Sequence, residues 1–247
     1  MSDRPIIFGA PMIRVLLAGR KTQTRRVLKP QPRTAPIRQI DGRWMDGVQI
    51  DDVRPLRIPY APGDRIWVRE AFYLTDDGEA EAVVYAEDEV GVAEHRETIG
   101  RMQANLHLTD AWAAPHLRLR SPIHMPRWAS RLTLNVTDVR VQRVQEISEE
   151  DALAEGVEPP ETERYDHDWK ICRKCGGTGL HGALGDRLGY VEVDCRDCDT
   201  CAKRYRALWD GINAKRGFGW DANPWVAAYS FDVRQENIDA DKPVVAS

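Results

Sequence analysis

Apolar positions change their period several times along the chain, and each change predicts an element. Ile6-Ile7-Phe8 reads as a short strand, and Pro11 opens a helix whose apolar positions are Met12, Val15 and Leu16, ended by Gly19. From Lys29 to about Pro62 the prolines Pro30, Pro32, Pro36, Pro55, Pro59 and Pro62 interrupt any period. That stretch is mainly loop, with one hairpin around Asp41-Gly42. After the Pro62-Gly63-Asp64 turn, Ile66, Val68 and Phe72 alternate with polar residues as in a half-buried strand. Ala82-Val83-Val84-Tyr85 is another strand candidate, and residues 87–120 are polar and irregular, a surface excursion.

The clearest strand is 131–139, with Leu132, Leu134, Val136 and Val139 on one side. Ser148 is placed to cap a helix through Ala152, Leu153 and Ala154, with Asp151 at the capping-box position and Gly156 as the stop. A second helix runs from about Cys201 to Asn213, with Tyr205, Leu208, Trp209 and Ile212 on one face. Trp225 to Val233 is the closing strand, and residues 235–247 are polar and expected to fray. Several strands with few helices, in this order, suggest an α+β chain built on a small barrel or curled sheet plugged by helices.

Composition narrows the class. The 247 residues suffice for one large domain or two small ones, and 42% hydrophobic with 30% charged is too apolar for disorder. Lys plus Arg is 35 against 39 Asp plus Glu, a net charge of −4, so any anionic partner must meet a local cationic patch. No apolar run reaches the roughly 18–20 residues of a membrane span, and the first residues lack the apolar stretch of a signal peptide. The expected location is the cytoplasm, with no membrane partner.

All five cysteines fall between Cys172 and Cys201, a spacing that suggests metal rather than a disulfide framework. Cys172-Arg-Lys-Cys175 and Cys195-Arg-Asp-Cys198 are two C-x-x-C turns, each able to offer two thiolates to one tetrahedral Zn²⁺. Cys198-Asp-Thr-Cys201 is also such a turn, so Cys201 is an alternative ligand. Four protein ligands leave no open position for water, which makes the zinc structural. It would staple an insertion too polar to have its own core.

Arg20-Lys21-Thr22-Gln23-Thr24-Arg25-Arg26 holds four cations and two hydroxyls just after a helix end. It is either a solvated charged turn or the wall of a pocket for an anionic or nucleobase ligand. Arg offers planar forks to phosphate, and a lysine among other cations has its pKa pushed down, which makes Lys21 a candidate base. In an ideal strand Lys21 and Thr24 face opposite sides, so joining them requires a departure from regular extension. Glu70 ends a strand that could line the same cleft. Trp128, in the basic and aromatic loop 124–128, could stack on a base.

The ordered set A-G-R-K-T-x-T-R-R, P-G-D-R-I-W-V-R-E, S-E-E-D-A-L-A-E-G-V, R-A-L-W-D-x-I-N and a closing aromatic strand resembles the ASCH domain of the PUA-like superfamily. It is similar to longer ASCH-type proteins often encoded by bacteriophages, whose location would be the host cytoplasm. The resemblance implies a PUA-like β-barrel with flanking helices over residues 1–157 and 202–234. Residues 30–59 and 87–120 are insertions, 158–201 a zinc-ribbon-like insertion and 235–247 a flexible tail. It further implies a cleft for a nucleoside, nucleotide or RNA. Small ASCH proteins are N4-acetylcytidine amidohydrolases, and their lysine, threonine and glutamate match Lys21, Thr24 and Glu155. Arg20, Thr22, Arg25, Arg26, Glu70 and Trp128 would then bind substrate. Other ASCH proteins resemble ribonucleases, and some PUA relatives bind RNA or a modified base without chemistry; a ribonuclease-like or phage accessory role is the further alternative. Neither the Lys21 nor the Thr24 side chain is expected to be needed for the core.

Overall fold

The structure, a computed structural model, describes residues 3–33, 37–47, 54–76, 81–86, 119–159, 172, 174–175, 180–185 and 189–240. The chain forms two compact units: residues 1–17, 64–135 and 233–247 make the first, and 18–63 with 136–232 the second. In chain order the elements begin with β1 (Asp3–Ile7), α1 (Ala10–Leu17), β2 (Gln23–Val27), β3 (Ile37–Ile40), β4 (Arg43–Asp46) and β5 (Arg54–Pro55). They continue with β6 (Arg65–Arg69), β7 (Phe72–Asp76), β8 (Glu81–Tyr85), β9 (Leu119–Arg120) and β10 (Thr133–Arg143). Last come α2 (Glu149–Ala154), β11 (Leu180–Gly185), β12 (Gly189–Asp194), α3 (Cys201–Asn213) and β13 (Trp225–Arg234).

The α+β class holds. Among the described residues the strands form open sheets, and none closes into a barrel. In the first unit β1 lies parallel to β6, and β6 is antiparallel to the first residues of β10. A separate sheet orders β8-β7-β9. Its core includes Phe72, Met125 and Ala129, with Tyr85 packed on them. The single strand expected over 65–72 is broken at Glu70-Ala71, because Glu70 leaves the ladder to meet Arg131. Residues 235–240, expected to fray, are tied down: Asn237 donates to the carbonyls of Arg127, Trp128 and Ser130, and Ile238 is buried. The rest of that tail, most of the 87–120 excursion and 160–171 lie outside the described residues.

In the second unit β10, β13 and β2 are neighbours in that order, with β2 antiparallel to β13. Two small sheets accompany them, β3-β4-β5 and the hairpin β11-β12. The β3–β4 hairpin turns at Asp41-Gly42, both with positive φ of 48° and 75°, a turn that favours Asp or Asn followed by Gly. Helices α2 and α3 supply Ala152, Tyr205 and Trp209 to a core with Val144, Ile147, Val157, Cys201 and Val226. On α3, Tyr205 and Trp209 are buried as their spacing predicts, but Ile212 is exposed and Arg204 takes a buried place instead. Ser148 caps α2 by accepting from the Asp151 amide at 3.1 Å. The Asp151 carboxylate does not complete the capping box; it turns to arginine, as described next.

Candidate functional site

Alternation along β2 sorts the basic segment into two sets. Gln23 and Arg25 share one face of the strand, and both reach the carboxylates of α2 and its C-terminal turn. Thr24 lies on the other face, where its direct register partner is Tyr229. Lys21 and Thr22 precede the regular strand, outside this alternation. The Thr22 backbone is an anchor: its amide donates to the Ala154 carbonyl at 2.8 Å and its carbonyl accepts from Phe231 at 2.9 Å. That double tie holds Lys21 against the end of α2.

The centre of the cluster is Glu155. It follows α2 directly, and Gly156 at φ 91° makes the turn that ends the helix, a conformation that favours glycine. Lys21 Nζ donates to Glu155 Oε2 at 2.7 Å and to its backbone carbonyl at 2.8 Å. The other carboxylate oxygen accepts from Arg25 at 3.1 Å and lies 3.5 Å from the Tyr205 hydroxyl. Lys21 is 0% and Glu155 3% exposed, so neither charge is solvated by water. Removing each ion from water costs several kcal/mol, which only dense hydrogen bonding offsets. Burial pushes the Lys21 pKa down, Glu155 pulls it back, and the Arg26 and Arg25 charges lower it further. The net direction is down.

A second carboxylate joins one helical turn earlier. Asp151 accepts from Arg25 at 2.6 Å, from Arg140 at 2.8 Å and from Gln23 at 3.2 Å. Burial raises its pKa, but these donors outweigh burial and leave it lowered. The four-residue spacing of Asp151 and Glu155 puts both acids on one side of α2, a signal the sequence itself carries. Arg25 is buried, its Nε lacks a partner among the described residues, and its guanidinium lies 5.7 Å from the Tyr205 ring centre. Arg26 is half-buried; burial lowers its pKa, opposed by Tyr60, Glu155, Tyr205 and Tyr229. Tyr229 is buried, its hydroxyl has no partner among the described residues, and burial holds that hydroxyl protonated. Tyr60 meets it edge to face at 5.2 Å. Lys21, Arg25 and Arg140 therefore bind the two carboxylates, and Arg25 Nε is left without a partner among the described residues. Such a set can stabilise negative charge that develops on a ligand oxygen.

Other expected site residues lie elsewhere. Arg20 is exposed and paired with Glu158 at 2.9 Å. Glu70 belongs to the first unit, where Arg131 grips both its oxygens at 2.9 and 2.8 Å. Trp128 is exposed in that unit, but Arg127 beside it is engaged by Asp3 and Asp239, so the loop is less basic than its composition.

The cysteines form a separate cluster. Sγ atoms of Cys172, Cys175, Cys195 and Cys198 all lie within 4.8 Å of one another, buried and without a disulfide. The Cys172–Cys195 and Cys175–Cys198 sulfur distances are 3.6 and 3.4 Å. Tetrahedral coordination at about 2.3 Å per Zn–S bond implies sulfurs roughly 3.8 Å apart, so the donor set fits a metal ion closely. Cys201 is outside the group: it begins α3 within the apolar core, and its amide donates to Glu149 at 2.6 Å. Arg204, which sequence reasoning missed, is fully buried and donates to the carbonyls of Cys198, Glu158 and Pro159. It fixes the second cysteine turn to α3.

Among the described residues no helix is long and apolar enough to cross a membrane. Among known proteins, no family model matches the chain, and neither a curated protein nor a solved structure matches it.

Proposed function

We propose that the chain is an ASCH-type amidohydrolase of the PUA-like class, removing the acyl group from an N4-acylated cytidine-like base in a nucleoside, nucleotide or RNA. The observation that carries this reading is the buried Lys21–Glu155 pair. The motif resemblance selects these two residues, 134 positions apart, and their side chains meet at 2.7 Å. A desolvated lysine loses its proton more easily than an exposed one, which suits a general base. In the proposed reaction neutral Lys21 takes the hydroxyl proton of Thr24, and the threonine oxygen attacks the acyl carbon. Arg25 or Arg26 stabilises the oxyanion, the carbon–nitrogen bond breaks, and the proton passes from Lys21 to the leaving exocyclic amine. Water then hydrolyses the threonine ester. Glu155 orients the lysine throughout.

The alternative, a module that binds RNA or a modified base without chemistry, has one observation in its favour. Thr24 stands beside Tyr229 on the face of β2 opposite Gln23 and Arg25. Turnover of N4-acetylcytidine against plain cytidine separates the readings. Lys21→Ala and Thr24→Val should each lower turnover by about a thousandfold or more at matched folded concentration, while Thr24→Ser retains part of it. Equal turnover by wild type and Lys21→Ala would leave the binding module in its place.

The metal we infer at the four cysteines is zinc, in a structural role. The all-sulfur donor set suits it, and four protein ligands leave no coordination position for chemistry.

A further inference from the structure

The β3–β4 hairpin does more than fill a proline-rich loop. Its register sets Gln39 directly opposite Trp44, so the amide and the indole stand on one face. With the segment after β5 and with β10, the hairpin walls a pocket of about 490 Å³. Small-molecule sites occupy roughly 300–1,000 Å³, so a nucleotide-sized ligand fits. Trp44 and Tyr60, both half-buried, and Leu56 form its aromatic and apolar walls; Gln39, Arg43 and Asp138 are exposed around it. The Leu56 amide donates to the Trp44 carbonyl at 2.8 Å, which holds this wall in place.

Each side chain suits one part of a nucleotide. The aromatic walls accept a planar base by stacking. Gln39 offers both a donor and an acceptor to the polar edge of that base, and Asp138 can accept from ribose hydroxyls. Arg43 presents a planar fork to phosphate. Tyr60 links this pocket to the buried cluster: it packs on Tyr229, and Tyr229 is the register partner of Thr24. One tyrosine ring, Tyr60, thus separates the pocket from Tyr229, the residue that faces Thr24.

We infer that this pocket binds a pyrimidine nucleoside 5′-phosphate, with the base against Trp44 and Tyr60 and the phosphate on Arg43. The choice of a cytidine-type base rests on the hydrolase reading; the pocket itself does not. The nucleotide can be free or part of an RNA strand, and the chemistry recognised is the same.

Calorimetric titration of the full chain with cytidine, cytidine 5′-monophosphate and a short cytidine-containing RNA tests the inference. Trp44→Ala should weaken cytidine and its monophosphate alike by about tenfold or more, with Trp44→Phe between it and wild type. Arg43→Ala should weaken the monophosphate to the level of cytidine and leave cytidine unchanged. Tighter binding of the monophosphate or of the RNA assigns the source. Wild-type protein that binds neither, or folded Trp44→Ala and Arg43→Ala variants that bind as wild type does, would overturn the pocket. The two readings fail separately. Acetylcytidine turnover with an unchanged KM in Trp44→Ala refutes the pocket and spares the hydrolase. Monophosphate binding that needs Trp44 and Arg43, without any turnover, does the reverse.

Discussion

Two buried clusters in the second unit solve the same physical problem in opposite ways. The Lys21–Glu155–Arg25–Asp151 cluster removes charges from water and offsets the cost among its own members, through hydrogen bonds of 2.6 to 3.1 Å. The cysteine cluster brings four thiols within 4.8 Å of one another, and burial raises the Cys195 and Cys198 pKa values. A metal ion would invert that, since a coordinated thiol gives up its proton. Among the described residues the ionic cluster leaves one donor, Arg25 Nε, without a partner, whereas the thiol cluster could take a cation at its centre. Two buried acids, one in each unit, teach the same lesson at smaller scale. Glu70 is gripped at both oxygens by one arginine, whereas Glu155 divides its oxygens between Lys21 and Arg25. A shared acid can let one partner change its protonation while the other still holds it in place.

Metal removal should break the comparison most visibly. Structural zinc contributes about 10 kcal/mol or more to the folding of small zinc modules. Purified chain should carry one zinc, and chelation should expose the β11–β12 amides to hydrogen exchange while those of β2 and β13 stay protected. Unchanged exchange over residues 180–194 after complete stripping would remove the metal from this account.

Next in size is the ionic cluster. The sequence suggested that Lys21 and Thr24 are dispensable for the core, but both are buried, as is Glu155. Breaking a buried pair costs about 3–5 kcal/mol, because one charge is left without its partner. Lys21→Ala should therefore lower the chemical-denaturation free energy by that amount. The double variant Lys21→Met with Glu155→Leu should regain at least half of it. A single variant as stable as wild type would mean that Arg25 alone satisfies Glu155.

Cys201→Ala sharpens the division between the clusters. It trims an apolar contact in the core at about 1 kcal/mol and should leave metal content untouched, whereas Cys195→Ser should empty the site. Equal metal loss in both variants would return Cys201 to the ligand set.

The smallest effect is acidic. Asp3 and Asp151 have lowered pKa values in the folded chain, the first chiefly through Arg127, the second because its arginine and glutamine donors outweigh burial. A carboxyl with a lowered folded pKa contributes stability that is present above its unfolded value and is lost as pH falls through the folded one. Stability should therefore decline below about pH 4, and Arg140→Gln should flatten that decline. Both pairs are partly solvated, so added salt should shrink the effect. An acid limb identical in wild type and Arg140→Gln would remove Asp151 from the titration.

Much of the local structure was legible. Helix α1 ends before Gly19, α2 begins after Ser148, and the hairpin turns at Asp41-Gly42, because caps and turns depend on a few adjacent residues. The cysteine pairs were legible for the same reason, since each C-x-x-C turn forms within four residues. The hairpin β11–β12 was not anticipated: Leu180 to Asp194 is glycine-rich, and strict alternation is absent. Pairing between strands supplies what the pattern lacks. Asp151 read as a capping acid from its spacing, yet Arg25 and Arg140 together outweigh the cap.

What the chain determined by itself is the order of its elements, the two C-x-x-C turns and the concentration of cations at residues 20–26. Tertiary structure decided the rest. It brought Lys21 to Glu155 across 134 residues, left Cys201 outside the thiol group and set Thr24 opposite Tyr229. It also turned the Gln39 and Trp44 hairpin into a pocket wall. The physical reason is range. Helix caps, turns and alternation follow from neighbours within about one helical turn, whereas the partner of a buried charge is set by strand register and packing. Its cost makes that partner obligatory without saying which residue it will be.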